Sequence, residues 1–270
     1  MNEVVLRAPL DRLWAGRDPF AEVEALQGNV LRALDGRRTL RAEIDGCGYF
    51  VKIHRGVGWG EIFKNLFNLR PPILGARNEW QAIERLTELG VDTMRMFAFG
   101  ERGINPARQH SFIVTGELAP TVSLEDYCAE WPRTPPALAL KRALIKRVAE
   151  MARRMHEGGV NHRDFYICHF LLHTDPPPTS AALRLSLIDL HRAQIREHLP
   201  ARWRRKDLAG LYFSTLEIGL TRRDLLRFIR VYFNAPLRDT LRHEAALFDW
   251  LGREATRLSK RYRRKFASQR

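Results

Sequence analysis

The alternation of apolar and polar positions changes character along the chain, from short period-two runs to long stretches near the helical period. Asp18 as N-cap, Pro19 as first helical residue and Gly28 as stop predict a helix over residues 20–27. Strand-like runs follow at 29–34, 39–44 and 49–54, joined by turns containing Asp35-Gly36 and Asp45-Gly46, which suit hairpins. Residues 77–89 have an amphipathic helical pattern, and 111–115 form another strand. Residues 117–121 read as a connector. Beyond it, Leu140, Leu144, Val148 and Met155 place a long helix over 137–157, stopped by Gly158-Gly159. The stretch Asp175-Pro176-Pro177-Pro178-Thr179-Ser180 turns the chain between two short strands. From residue 206 the pattern is helical and ends in a basic tail, 260–265. No internal repeat or low-complexity linker interrupts it. The expected class is α+β, with a β-rich lobe over 1–118 and a helical lobe over 119–270.

A length of 270 residues and a hydrophobic share of 45% are enough to bury a substantial core. The 45 Lys and Arg against 31 Asp and Glu give a net charge of +14. Such a surface favours polyanions: nucleic acid, anionic lipid headgroups or phosphorylated glycans. An acidic protein partner is compatible with it too. Cys47, Cys128 and Cys168 share no metal-ligand spacing and form no even-numbered framework, which fits a reducing cytoplasm. The first residues lack the pattern of a secretory signal, and no run of about 18 apolar residues exists to span a membrane.

The run His162-Arg163-Asp164-Phe165-Tyr166-Ile167-Cys168-His169, followed by Leu187-Ile188-Asp189-Leu190-His191, carries the candidate chemistry. One Asp follows a His-Arg pair, a potential metal ligand lies five residues on, and a second Asp ends an apolar strand. Phosphoryl transfer to a hydroxyl needs parts in this order: a base, a polar metal contact and an acidic metal ligand. Asp164 is the candidate catalytic base; as a bland alternative it is an N-cap or turn aspartate. Asp189 is a candidate Mg²⁺ ligand or an ordinary residue of a post-strand turn. His169 occupies the position where kinases usually carry Asn; a neutral imidazole can bind a divalent metal, although Mg²⁺ prefers oxygen.

In Tyr49-Phe50-Val51-Lys52-Ile53-His54, Lys52 shares a face with Phe50 and His54. A lysine in such a strand either snorkels to water from an edge or holds ATP phosphates together with a helical glutamate. Trp80, Ile83 and Leu86 define the buried face of the helix over 77–89. At about 100° per residue, Glu79 lies roughly 40° from the centre of that face and Glu84 roughly 100° from it. Glu79 is therefore the expected partner of Lys52. A further segment, 59–70, puts Trp59, Ile62, Phe63, Leu66 and Phe67 on one helical face, to pack on the β-rich lobe or to touch lipid or an acyl-bearing acceptor.

Lys52, Glu79, His162-Arg163-Asp164 and Asp189 resemble the protein-kinase-like fold. The stretches Val51-Lys-Ile-His-Arg-Gly56, Pro72-Ile-Leu-Gly-Ala-Arg-Asn-Glu-Trp80, His162-Arg-Asp-Phe-Tyr-Ile-Cys-His-Phe170 and Ile188-Asp-Leu-His-Arg192 look like the bacterial lipopolysaccharide core heptose kinases, most of all the heptose I kinases. The resemblance covers residues 29–235. It implies ATP and Mg²⁺ as cofactors and phosphorylation of the first heptose of the inner core, peripherally at the cytoplasmic face of the inner membrane. ATP would sit between the lobes, fixed by Lys52 and Glu79 and touched by Glu117 and Leu118 of the connector, with Asp189 and His169 at the metal. The implied partners are the core glycolipid and an anionic membrane surface, not nucleic acid. Lys206-Asp207-Leu208 resembles the helix whose Asp braces the catalytic loop in kinases.

The chain departs from kinases in three places. The glycine-rich loop shrinks to Asp35-Gly36-Arg37-Arg38, His191 replaces a Gly, and no Ala-Pro-Glu segment follows. The last departure favours a small-molecule or glycan acceptor over a protein. Alternatives are a tyrosine or serine protein kinase, an aminoglycoside-type phosphotransferase, which sits poorly with +14, and a basic pseudokinase adaptor, which would need none of the four residues.

Overall fold

The computed structural model describes residues 2–34, 36–56, 58–67, 75–105 and 107–267. The expectations placed on Asp35, on residues 68–74 and on the side chains of Ile62, Leu66 and Lys265 lie outside them. The chain divides into two compact units. One comprises Met1–Arg85, Met94–Leu118 and Leu190–Arg192; the other comprises Leu86–Thr93, Ala119–Asp189 and Ala193–Arg270.

The first unit contains β1 (Asn2–Leu6), α1 (Leu10–Leu13), α2 (Pro19–Ala25), β2 (Asn29–Leu34), β3 (Arg37–Ile44), β4 (Cys47–Arg55), α3 (Gly58–Phe67), most of α4 (Arg77–Glu88), β5 (Met96–Arg102) and β6 (His110–Gly116). Its six strands pair antiparallel in the order β1-β5-β6-β4-β3-β2. Asp18 caps α2 by accepting the Phe20 N–H at 3.0 Å. Leu10 of α1, Trp14 just after it, and Phe20 and Val23 of α2 bury one face of the sheet, packing on Leu40, Tyr49, Val51, Ile53, Phe112 and Val114. Strand alternation turns Lys52, Ile113 and Phe99, which are register neighbours, to the opposite face. There Trp80 of α4 stacks on Phe99 at 4.4 Å between ring centroids.

Two strands of this unit escaped the sequence pattern. β5 contains Gly100, whose absent side chain makes room for the Phe112 ring: a Cβ there would come within 2.4 Å of it. β5 also carries Glu101, a buried carboxylate paired with Arg77 at 2.8 Å, so its polarity hides its burial. β1 spans five residues, too few to show a period, and is held by pairing to β5.

The second unit contains β7 (Thr121–Ser123), α5 (Leu124–Cys128), α6 (Leu138–Glu157), β8 (Val160–Asn161), β9 (Phe170–His173), β10 (Leu185–Leu187), β11 (Gln194–Ile195), α7 (Ala201–Ser214), α8 (Arg222–Phe233), α9 (Leu237–His243) and α10 (Ala245–Ala267). α6 ends at Gly158. Gly159 follows at φ +80°, with its α-carbon so close to the Arg196 carbonyl that a Cβ would stand 1.8 Å from the oxygen. This contact sits beside the β8–β11 pairing. β9 pairs with β10 and β7, and the Pro-rich turn joins the first two. The basic tail is the last part of α10, so its charges ride on a helix and not on a loose end. No described helix is long and apolar enough to cross a membrane.

Candidate active site

On β4 and α4, Lys52 Nζ donates to Glu79 Oε1 at 2.6 Å, and the Glu79 side chain is 2% exposed. Removing either partner would strand a charge in a low-dielectric site, which is why the two must come together. Glu84, the other candidate on α4, instead meets Arg7 at 2.8 Å in a half-exposed pair. His54, two residues after Lys52, is buried with Nδ1 lacking a hydrogen-bond partner among the described residues. Burial first, then the neighbouring Arg37 and Lys52 charges, push its pKa down to about 4. This face of the sheet is thus electropositive beyond what Glu79 offsets, and that suits phosphate oxygens.

In the second unit, the loop between β8 and β9 carries Asp164. Its backbone is held from below by Asp207 of α7, whose carboxylate accepts the His162 N–H at 2.7 Å and the Arg163 N–H at 2.9 Å. Asp207 is nearly fully buried and also receives His156 Nε2 at 3.3 Å, while His156 Nδ1 lies 2.7 Å from the Tyr232 hydroxyl. Arg163 adopts φ +73° and Asp189 φ +65°, left-handed conformations that an L-residue holds only when its surroundings impose them. For Arg163 the constraint is the Asp207 carboxylate on its N–H. His162, fully buried, donates Nε2–H to the Ile188 carbonyl at 2.9 Å and so ties the loop to the residue before Asp189; burial pulls its pKa down.

His169 and Asp189 meet. His169 Nδ1 lies 2.7 Å from the Asp164 carbonyl oxygen, which can only accept, so Nδ1 carries the proton. In the neutral ring Nε2 then presents its lone pair, 3.4 Å from Asp189 Oδ2. An imidazole whose outer nitrogen is tied to a carbonyl is oriented as a metal ligand. Among the described residues no cluster of three or more His, Cys, Asp or Glu could hold a metal alone. Asp189 and His169, one oxygen and one nitrogen donor, would suit a divalent cation whose other ligands come from a bound nucleotide and water.

Glu117 and Leu118 close the sheet-bearing unit. The Glu117 carboxylate forms a bidentate pair with Arg41, both bonds 2.7 Å, and its N–H goes to the Gly48 carbonyl at 2.9 Å. The side chain is therefore committed to the sheet. Leu118 is half-buried. The structure thus brings together Lys52 with Glu79 in one unit, and Asp164, His169 and Asp189 in the other.

The description of the lipopolysaccharide kinase (Kdo/WaaP) family matches residues 21–232. The chain belongs to that family. A lipopolysaccharide core heptose(I) kinase WaaP of Pseudomonas aeruginosa is 64% identical over 261 residues, 97% of each chain. The protein of the same name from Escherichia coli is 56% identical over 97% of this chain and 99% of its own. A solved structure titled WaaP in complex with acyl carrier protein superposes with a TM-score of 0.85 at 60% identity, covering 95% of this chain and 99% of that one. The fold is kinase-like, and the chain is a kinase. Within this lipopolysaccharide kinase the elements that sequence reasoning missed are supporting ones. His156 and Tyr232, behind Asp207, are 51 and 76 residues from their partners, beyond any local spacing rule.

Proposed function

We propose that this kinase transfers the γ-phosphate of ATP to a hydroxyl of heptose I in the lipopolysaccharide inner core, at the cytoplasmic face of the inner membrane. Identity of 55–64% over nearly the full length to proteins named heptose(I) kinases supports the acceptor. The observation that carries the chemistry is His169 Nε2 standing 3.4 Å from the Asp189 carboxylate, with His169 on the loop that carries Asp164.

In this reading the sheet-bearing unit, over 1–118, supplies nucleotide contacts and the helical unit, over 119–270, supplies the base and metal ligands. Lys52, fixed by Glu79, neutralises phosphate oxygens as a point charge. The backbone of Glu117 and Leu118 would meet the base of the nucleotide. Asp189 and His169 would hold Mg²⁺, which would offset charge on the phosphates. Asp164 orients the heptose hydroxyl and accepts its proton. Its loop is rigid before substrate arrives because Asp207 and His162 fix the backbone, and positioning of this kind supplies most of the acceleration in phosphoryl transfer.

We also infer an acyl carrier protein as a partner. A relative was solved with one, and the charge of +14 suits an acidic protein. The helical unit holds an apolar cavity of about 360 Å³, lined by Leu124, Leu144, Ile167, Leu208, Leu225 and Phe248 among others, which matches an acyl chain in chemistry.

The test is transfer of labelled γ-phosphate from ATP to dephosphorylated core lipopolysaccharide with and without Mg²⁺, alongside a generic protein acceptor. The glycolipid should be labelled only with Mg²⁺, and Asp164→Ala should lower the rate by roughly 10²–10⁴-fold, the usual worth of a positioned base. Label on protein alone would replace the glycan acceptor by a protein.

A further inference from the structure

The first unit exposes apolar surface at one end of its sheet. On α3, Trp59, Phe63 and Phe67 recur every four residues, so at about 100° per residue they cover a stripe roughly 80° wide. Their exposures are 51%, 61% and 95%, and Trp59 stacks on Phe63 with centroids 5.8 Å apart. In the β5–β6 connection Ile104 is 89% exposed, and at the end of β2 Leu34 is 54% exposed. These come from three separate stretches, yet hydrogen bonds join them at the same end. Arg55 N–H donates to the Gly36 carbonyl at 2.7 Å, beside the tip after Leu34, and Gly58 N–H, at the start of α3, donates to the Ala107 carbonyl at 3.1 Å. A single exposed leucine needs no explanation; five large apolar side chains gathered from three stretches of one unit do.

Charge at that end selects the occupant. Among the described side chains of the stretches 30–38, 58–67 and 103–109, the charged ones are Arg32, Arg37, Arg38 and Arg108, all basic, with Arg32 and Arg108 exposed. Exposed aromatic side chains on a unit end that also exposes Arg32 and Arg108 match the boundary between acyl chains and anionic headgroups, where Trp and Phe insert and cations meet phosphate. A protein partner would have to bring both an apolar groove and acidic groups; a bilayer of anionic lipid offers both at once. We propose that this end of the sheet-bearing unit, led by the α3 aromatic stripe and Ile104, inserts into the anionic membrane that presents the glycolipid acceptor. The inference rests on the lipid-linked acceptor of the proposed function.

The whole protein would be sedimented with vesicles of phosphatidylethanolamine and phosphatidylglycerol, and with phosphatidylcholine vesicles in parallel. Two variants join it: the triple Trp59→Ser/Phe63→Ser/Phe67→Ser, and Ile104→Asp. Kinase activity is measured at the same time on a deacylated, water-soluble core oligosaccharide. The wild type should partition to the phosphatidylglycerol vesicles and at least about tenfold less to phosphatidylcholine. Both variants should lose roughly tenfold or more of the vesicle binding while turnover on the soluble acceptor stays within about twofold. Vesicle binding unchanged in both variants, absent in the wild type, or lost together with soluble activity would overturn the proposal. Failure of the wild type to phosphorylate the soluble oligosaccharide while still binding vesicles would instead count against the heptose kinase reading and leave the membrane face standing.

Discussion

At Lys52 a side chain and its partner were both legible, because strand alternation and helical phase are geometric facts of the sequence. The phase that selected Glu79 over Glu84 selected the glutamate that meets Lys52 at 2.6 Å. His54 was not legible in the same way: the sequence set it on the face of Lys52 but did not show that it is buried among positive groups. Its folded pKa of about 4 lies below the ordinary 6.5, so the unfolded chain takes up a proton first. Its contribution to stability is therefore intact above pH 6.5 and is lost as the pH falls toward 4. Buried His162 acts in the same direction. The melting temperature should fall steadily between pH 6.5 and 4.5, and His54→Gln should flatten part of that slope in calorimetric scans. An unchanged slope would mean that His54 protonates in place without cost.

Elements were read well where the pattern was long. The helices at 138–157 and 77–88 and the strands β2, β3 and β4 lie within a few residues of their expected places. β1 was missed because a long-range pairing creates it, with β5 far along the chain, and β5 was missed because Gly100 and the buried Glu101 break its apolar pattern. α7 shows how an element serves a site it does not line. It carries Asp207, and three donors converge on that one carboxylate. Asp207→Ala would leave the His162 and Arg163 N–H groups without partners, at a cost of about 1–3 kcal/mol each if they stay dry. It would also release Arg163 from its left-handed backbone. A loss of at least about 10²-fold in kcat is expected, with nucleotide affinity little changed, because Lys52 and Glu79 lie in the other unit. Rapid-quench turnover alongside calorimetric titration with a non-hydrolysable ATP analogue checks the split.

For the whole molecule, composition bounded the partners to anionic ones without choosing among them, and the motif at 162–169 together with the resemblance made the choice. The cavity in the helical unit left no trace in the sequence, since its lining is drawn from α5, α6, α7, α8, α9 and α10 and each residue alone reads as core. If an acyl chain fills it, a bulky side chain will compete for the same volume. Leu144→Trp should therefore weaken retention of an acylated carrier protein by tenfold or more in pull-down titrations, and should raise the melting temperature of the carrier-free protein or leave it unchanged. Retention at the wild-type level would remove the cavity from the interaction.

Asp189 answers to two demands that few amino acids meet together. Its left-handed backbone, φ +65°, is easiest for Gly and Asn, while its place 3.4 Å from His169 Nε2 calls for a short carboxylate. Glycine and asparagine meet the first demand and drop the charge. Glutamate keeps the charge but lengthens the reach and suits the backbone poorly. In mutational terms the position is an island: every single-residue step away from aspartate gives up either the conformation or the carboxylate that the proposed metal role calls for, so no graded path of partly working intermediates leads from it.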